Sequence, residues 1–208
     1  SGFDQTGEVL GRGRVLSGFG NAGGTWRDGV LTYVDRTDAD AEPFDRFVLG
    51  APFYESVQER DVLAADLEAG GFEVDVEEPI QDWHLCHAAL IAGMAGALYR
   101  CDVDPQRLAN ERRLLDLAMR ATKQALRGLR KAGHHILPTR LAVMGFIPVP
   151  VLRRRMAATL DSRFAEIGLA GHALTARDEM RSLAKDVLAI VDETGVPCDS
   201  LRELVDTI

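Results

Sequence analysis

Two histidines, His84 and His87, stand three residues apart in an apolar segment, and this spacing places two side chains on one face of a helix. Such a pair fits three roles. The imidazoles can begin a metal site, they can face a substrate as a polar pair, or they can be hydrogen-bonded structural residues. Apart from Asp82, no acidic or cysteine side chain stands at ligand spacing beside them, so we expect no metal.

A second set of candidate residues lies near the end of the chain. Asp178, Ser182 and Asp186 fall within about 80° of arc on a predicted helix, opposite its apolar face. They point either to solvent or into a cleft between domains. Thr175 and Asp178 also fit an N-terminal capping pair. Arg177 has the chemistry to bind a carboxylate through two parallel hydrogen bonds, or it is an ordinary surface arginine.

Residues 18–23 match the glycine pattern G-x-G-x-x-G of dinucleotide-binding turns and follow a predicted strand. In that turn the third glycine opens a helix whose N-terminal amides hold a pyrophosphate. Here residues 25–29, with the sequence TWRDG, connect to a second predicted strand, and Asp28-Gly29 is the local turn signal. The pattern favours a glycine-rich strand end before a hairpin, with phosphate binding as the alternative.

The elements that must position these residues divide into strands followed by helices. Turn residues separate the predicted strands, which cover 15–19, 30–34, 47–49 and 72–76, and Gly70-Gly71 ends a helix at 56–69. From residue 80 onward apolar residues recur at helical spacing. The predicted helices cover 82–100, one long segment from Asp104-Pro105 to Gly133, then 151–167, 175–193 and 200–205. The helix at 82–100 is apolar nearly all round and therefore predicted to be buried, with Gly93 and Gly96 letting another helix approach.

The composition narrows the class of protein. Of 208 residues, 46% are apolar and 27% charged, as in a globular chain that buries a core, and the net charge of −8 argues against a nucleic-acid surface. No apolar run reaches the length of a membrane span, and the three cysteines form no C-x-x-C pair. We therefore expect a cytoplasmic chain with neither a nucleic-acid nor a membrane partner.

The charge is distributed unevenly along the chain. Residues 1–80 carry 17 acidic against 6 basic residues, a net charge of −11, whereas residues 81–208 carry 15 against 18, a net charge of +3. This contrast predicts two domains, 1–79 and 80–208, with Pro79 near their boundary.

Three pairs of segments together resemble the ketopantoate reductase (2-dehydropantoate 2-reductase) family, in order and spacing over nearly the whole chain. They are VLSGF at 15–19 with RDGV at 27–30, GGFEV at 70–74 with IQDW at 80–83, and ARDEM at 176–180 with TGVP at 194–197. The resemblance implies an α/β plus all-α fold. Residues 1–79 would be the trailing part of a Rossmann-like NADP-binding domain, and 80–208 a helical C-terminal domain like that of 6-phosphogluconate dehydrogenase. Most of the NADP site would then precede residue 1, so no cofactor-binding residue is assigned.

The resemblance also implies where the chemistry lies. The family's general acid is a lysine that opens the buried helix, with asparagines four and eight residues later. Aligned on Trp83, these three positions hold His84, Ala88 and Ala92. Imidazole titrates near pH 6.5 and is a competent acid at neutral pH, so His84 becomes the candidate catalytic acid. His87 becomes a candidate substrate contact.

The remaining family positions lie around the predicted helix at 175–193. The family's functional glutamate corresponds by spacing to Asp186, the second catalytic candidate. Thr175, Arg177 and Asp178 are the candidate substrate-binding residues.

The function implied is NADP-dependent reduction of a small 2-keto acid or related carbonyl by hydride transfer. The alternative is a non-catalytic helical binding or dimerisation module that retains the fold without the lysine and the asparagines. The long apolar-faced helices favour a homodimer in either case.

Overall fold

The computed structural model describes residues 2–20, 24–33, 46–162, 165–206 and 208. The fold is mixed α/β, and helices make up 68% of the described residues. The first part contains these elements: α1 Gly2–Leu10, β1 Ser17–Gly20, β2 Gly24–Arg27, β3 Val30–Tyr33, β4 Arg46–Gly50, α2 Val57–Ala69 and β5 Glu73–Val76. The second contains α3 Ile80–Tyr99, α4 Pro105–Asn110, α5 Arg112–Lys131, α6 Thr139–Met144, α7 Val149–Leu160, α8 Gly171–Thr175, α9 Arg177–Thr194 and α10 Asp199–Val205.

The strands form a three-stranded sheet and a separate hairpin. In the sheet, β1 pairs antiparallel with β4, and β4 pairs parallel with β5, so that Phe19 lies opposite Val48. In the hairpin, β2 and β3 are joined by Asp28 and Gly29, which both adopt positive φ. A two-residue hairpin turn of this type requires positive φ at both of its residues. The turn predicted at Asp28-Gly29 is therefore confirmed. The partner of β3 is however β2, and not the predicted strand at 15–19.

The glycine-rich segment leads into this hairpin. Residues 21–23 lie outside the described residues, but Gly24 already begins the strand β2. A pyrophosphate-binding turn needs the N-terminus of a helix at this point. The phosphate-binding alternative for residues 18–23 is therefore wrong, and the glycine-rich strand end is confirmed.

Helix α3 is the centre of the helical part and packs against α5, α9 and α10. Two glycines allow these close contacts. A Cβ atom on Gly93 would lie 3.2 Å from the carbonyl oxygen of Ala118, and one on Gly96 would lie 2.8 Å from that of Leu204. The prediction of a buried helix approached closely by its neighbours is confirmed.

Two of the predicted helices are interrupted in the structure. Asp104 caps α4 as predicted, because its carboxylate accepts a hydrogen bond from the backbone N–H of Arg107 at 3.0 Å. The helix ends at Asn110, however, and Glu111 leaves helical geometry with ψ of 76° before α5 begins. The helix predicted at 151–167 is likewise wrong in extent, since α7 ends at Leu160 and a π-helical turn, Ala165–Ala170, follows.

The buried apolar residues form two clusters. The larger fills the helical part from Cys86 to Ile208. The smaller lies where the sheet meets α3 and consists of Val48, Ile80 and Trp83, with Phe19 and Leu137 packed against it. In the part of the chain that the structure describes, no helix is both long and apolar enough to cross a bilayer.

Candidate functional site

The junction of sheet and α3 brings together two polar side chains from distant parts of the sequence. The Nε2 atom of His84 lies 2.8 Å from the Oγ atom of Ser17, at hydrogen-bond distance. Ser17 begins β1, and His84 stands in the second turn of α3. Burial lowers the pKa of His84 below its ordinary value of 6.5, because it penalises the charged imidazolium.

His87 lies one turn further along α3 in an aromatic setting. Its ring stacks on that of Trp83, with centroids 4.9 Å apart and planes 10° from parallel, and the ring of Phe19 lies 4.6 Å away. Burial, with smaller contributions from the charges of His84, Arg140 and His172, lowers the pKa of His87 to about 4. His87 is therefore uncharged at neutral pH.

Two side chains outside the motifs of the sequence, Arg140 and His172, act electrostatically on His87. Arg140 comes from α6 and His172 from α8. His172 also lies 4.0 Å from the carboxylate of Glu179 in α9. Neither Arg140 nor His172 belongs to a sequence motif. Their effect on His87 depends on the packing of elements that are distant in sequence, so no local pattern indicates it.

Asp82 fixes the loop between α5 and α6 to the start of α3. The backbone N–H of His135 donates to its carboxylate at 2.8 Å, and the Nδ1 atoms of His134 and His135 lie at 2.7 and 2.9 Å from it. Burial alone would raise the pKa of Asp82, but these hydrogen bonds outweigh it, and the pKa is lowered. Asp82 is a positioning residue for the loop that carries Leu137 to the small apolar cluster.

Two of the predicted substrate-binding residues, Arg177 and Asp178, lie on α9, and Arg177 contacts the far end of α3. The guanidinium of Arg177 lies 4.6 Å from the ring centroid of Tyr99, at the last residue of α3. Tyr99 is 15 residues beyond His84, about 22 Å along the helix axis. Asp178 is exposed and pairs with Arg181 at 2.8 Å. The structure therefore does not gather these two candidates at the His84 end of α3.

Thr175 is exposed at the end of α8. Its hydroxyl donates to the backbone carbonyls of Gly171 and His172 at 3.3 and 3.2 Å. Helix α9 begins at Arg177, and its N-cap residue, Ala176, makes no side-chain capping bond. The proposed capping pair of Thr175 with Asp178 is therefore wrong.

Asp186 is exposed on α9, on the side away from the buried residues Ala184 and Val187. Within the described ranges, no hydrogen bond or ion pair joins it to the His84 junction. Its assignment as a second catalytic residue stays a prediction.

The positions of the family's asparagines are occupied by buried methyl groups. Ala88 is 7% and Ala92 0% exposed, and both belong to the large apolar cluster. The two depressions described, of about 380 and 310 Å³, lie at α1 and at the turn between α9 and α10, and neither histidine lines them. Among the described residues, no group of three or more metal-ligating side chains is arranged to hold an ion.

No protein-family model, curated protein or solved structure matches this chain.

Proposed function

We propose that this chain is part of an oxidoreductase of the ketopantoate reductase type, and that the junction around His84 binds a small 2-keto acid or related carbonyl. Residues 1–79 would then be the trailing part of a Rossmann-like domain, with residues 80–208 as its helical partner. The observation that carries the proposal is the hydrogen-bonded pair of Ser17 and His84 at the meeting point of the two parts.

The pair has the chemistry to complete the reduction of a carbonyl. Reduction of a ketone to an alcohol leaves an alkoxide oxygen that needs a proton. In the proposed step the Ser17 hydroxyl gives its proton to the alkoxide while it takes one from the protonated imidazole of His84. The O–H and N–H bonds that break are replaced by two O–H bonds, and His84 ends neutral.

The role of His84 as the proton source sets the pH dependence of the proposed reaction. His84 must be protonated to act, and its pKa lies below 6.5 because of burial. The reaction should therefore be faster at acidic pH and should slow as pH rises through the pKa of His84.

NADP(H) is the proposed hydride donor, by resemblance to the family. The described residues do not fit the phosphates of this cofactor, since the glycine-rich segment leads into β2 rather than into a helix. We assign no residue to cofactor binding and no step to the cofactor.

A second candidate function is a non-catalytic helical binding or dimerisation module. The buried positions of Ala88 and Ala92 favour it, because they leave no polar group where the family has its asparagines.

The test measures NADPH oxidation by the intact protein, including any nucleotide-binding part encoded with this chain, with a panel of 2-keto acids from pH 5 to 8. If the proposal holds, His84→Gln, which cannot titrate, loses activity and its pH dependence, and Ser17→Thr, which keeps the hydroxyl, retains more activity than Ser17→Ala. No NADPH oxidation in a folded protein, together with no effect of keto acids on the NMR signals of His84, would support the second candidate instead.

A further inference from the structure

The outer face of α5 carries a row of positive charge. This helix holds seven basic residues and one acidic residue, and the acidic one, Asp116, is already paired with Arg153 of α7 at 2.9 Å. Four exposed basic side chains lie within about 40° of arc, and the first three repeat every seven residues, about 10.5 Å along the axis. This basic row consists of Arg113, Arg120, Arg127 and Lys131. Within the described ranges, none of the four forms an ion pair or a side-chain hydrogen bond.

Helix α2 presents the opposite charge on an exposed face. It packs on β4 and β5, and none of its residues is fully buried. Glu59 and Asp66 are both exposed and are also seven residues apart. Val62 and Leu63, which lie between them, are 57% and 37% exposed. The four side chains share about 100° of arc, and this acidic face therefore combines two carboxylates with apolar surface.

The basic row and the acidic face match in charge and in spacing. Because both repeats are seven residues long, the two carboxylates of the acidic face can lie opposite Arg120 and Arg127 of a second chain. Within one chain, no ion pair joins α2 to α5 among the described residues. A second copy uses both surfaces, whereas a polyanion would use the basic row alone and would be repelled by the net charge of −8.

We propose that two copies of this chain associate by docking the acidic face of α2 on the basic row of α5. Each copy carries both surfaces, so the same contact is made twice across a two-fold axis. Exposed ion pairs contribute little individually, and the removal of Val62 and Leu63 from water adds to them. The association is therefore weak and sensitive to salt. It is independent of the proposed reductase activity, because neither surface includes Ser17 or His84.

The test measures self-association of the full chain by sedimentation equilibrium. Raising the salt concentration from about 50 mM to about 500 mM shortens the screening length from about 14 Å to about 4 Å, and should weaken association at least about 10-fold. Two double variants reverse the charge of one surface each: Arg120→Glu with Arg127→Glu, and Glu59→Arg with Asp66→Arg. Each should also lower the association constant at least about 10-fold, because like charges then face each other.

The two double variants serve as partners for each other. In a mixture, each contact of the mixed dimer again joins opposite charges, so association should return to near the wild-type level. The control is Arg14→Glu with Arg154→Glu, at exposed positions before β1 and on α7. It changes the net charge as much as Arg120→Glu with Arg127→Glu does, and should leave association near that of the wild type.

Circular dichroism checks that each variant is folded. A wild-type chain that stays monomeric at millimolar concentration and low salt would overturn the proposal. Association that both double variants leave unchanged would also overturn it, as would a mixture of the two that forms no dimer. If a monomeric wild type instead bound a fluorescein-labelled oligonucleotide through Arg120 and Arg127, the basic row would be a polyanion site and the proposed dimer would be wrong.

Discussion

The side chains of Ser17 and His84 meet at 2.8 Å although 67 residues separate them in the chain. One comes from the edge strand of the small sheet and the other from the central helix. The contact therefore depends on the docking of the sheet against α3, which the apolar cluster of Val48, Ile80 and Trp83 maintains.

Replacement of Ser17 by alanine should reduce turnover of a 2-keto acid about 100- to 10,000-fold, in the range expected for loss of one proton-transfer group. The Michaelis constant should change less, because Ser17 acts on the alkoxide rather than on the carboxylate. Steady-state kinetics of Ser17→Ala and Ser17→Thr check this. Equal rates in the alanine and threonine variants would remove the hydroxyl from the mechanism.

The titration of His87 should be visible in the stability of the fold. Its pKa is about 4 in the folded chain and near 6.5 when exposed, so the unfolded state takes up a proton first as pH falls. Stability should therefore decrease between pH 6.5 and 4. Urea unfolding at several pH values measures this, and the decrease should be smaller in His87→Phe. An NMR titration of His87 near 6.5 would contradict the prediction.

Asp82→Asn should destabilise the chain by about 1–3 kcal/mol at neutral pH, because three nitrogen atoms lose a charged acceptor. The pKa of Asp82 is lowered in the folded state, so its contribution is complete above pH 4 and is lost as pH falls through the folded pKa. Urea unfolding of Asp82→Asn, compared with the exposed control Asp66→Asn, tests this. A difference from wild type that does not shrink as pH falls below 4 would show that charge is not its cause.

Gly96→Ala should destabilise the contact between α3 and α10 by about 1–3 kcal/mol, since the new methyl group would lie 2.8 Å from backbone and side-chain atoms of Leu204. Gly171→Ala is the matched control, because a Cβ there meets no atom within 4 Å. The control should be neutral or slightly stabilising, as alanine favours helix. Thermal unfolding of both variants gives the comparison, and equal melting temperatures would contradict the close approach.

Local patterns predicted much of the fold. The small apolar residues of α3 indicated a buried helix, and Asp28-Gly29 indicated a two-residue turn, because in both cases the requirement lies within a few neighbouring residues. The break at Glu111 had no such signal. Glutamate is a good helix former and neither glycine nor proline stands beside it. The contacts that α4 makes with α7 are long-range and have no local sequence signal.

The candidate site was predictable only on α3. His84 and His87 share a face by helical spacing alone, and this could be inferred from sequence. Ser17 reaches His84 through docking of a strand against α3, which no local pattern encodes. The sequence likewise indicated that Arg177 has the chemistry to bind a carboxylate. It did not indicate that Arg177 lies beside Tyr99, because that contact also depends on docking.

The small apolar cluster has a consequence for how such a chain can evolve. The cluster packs β4 against α3, so it limits which sheets can dock onto this helical part. If the helical part were exchanged onto another α/β partner, each piece could keep its own core and still lose the alignment of Ser17 with His84. A combination that keeps the Ser17–His84 contact therefore needs a partner that presents a hydroxyl on an edge strand and an apolar surface to receive Trp83.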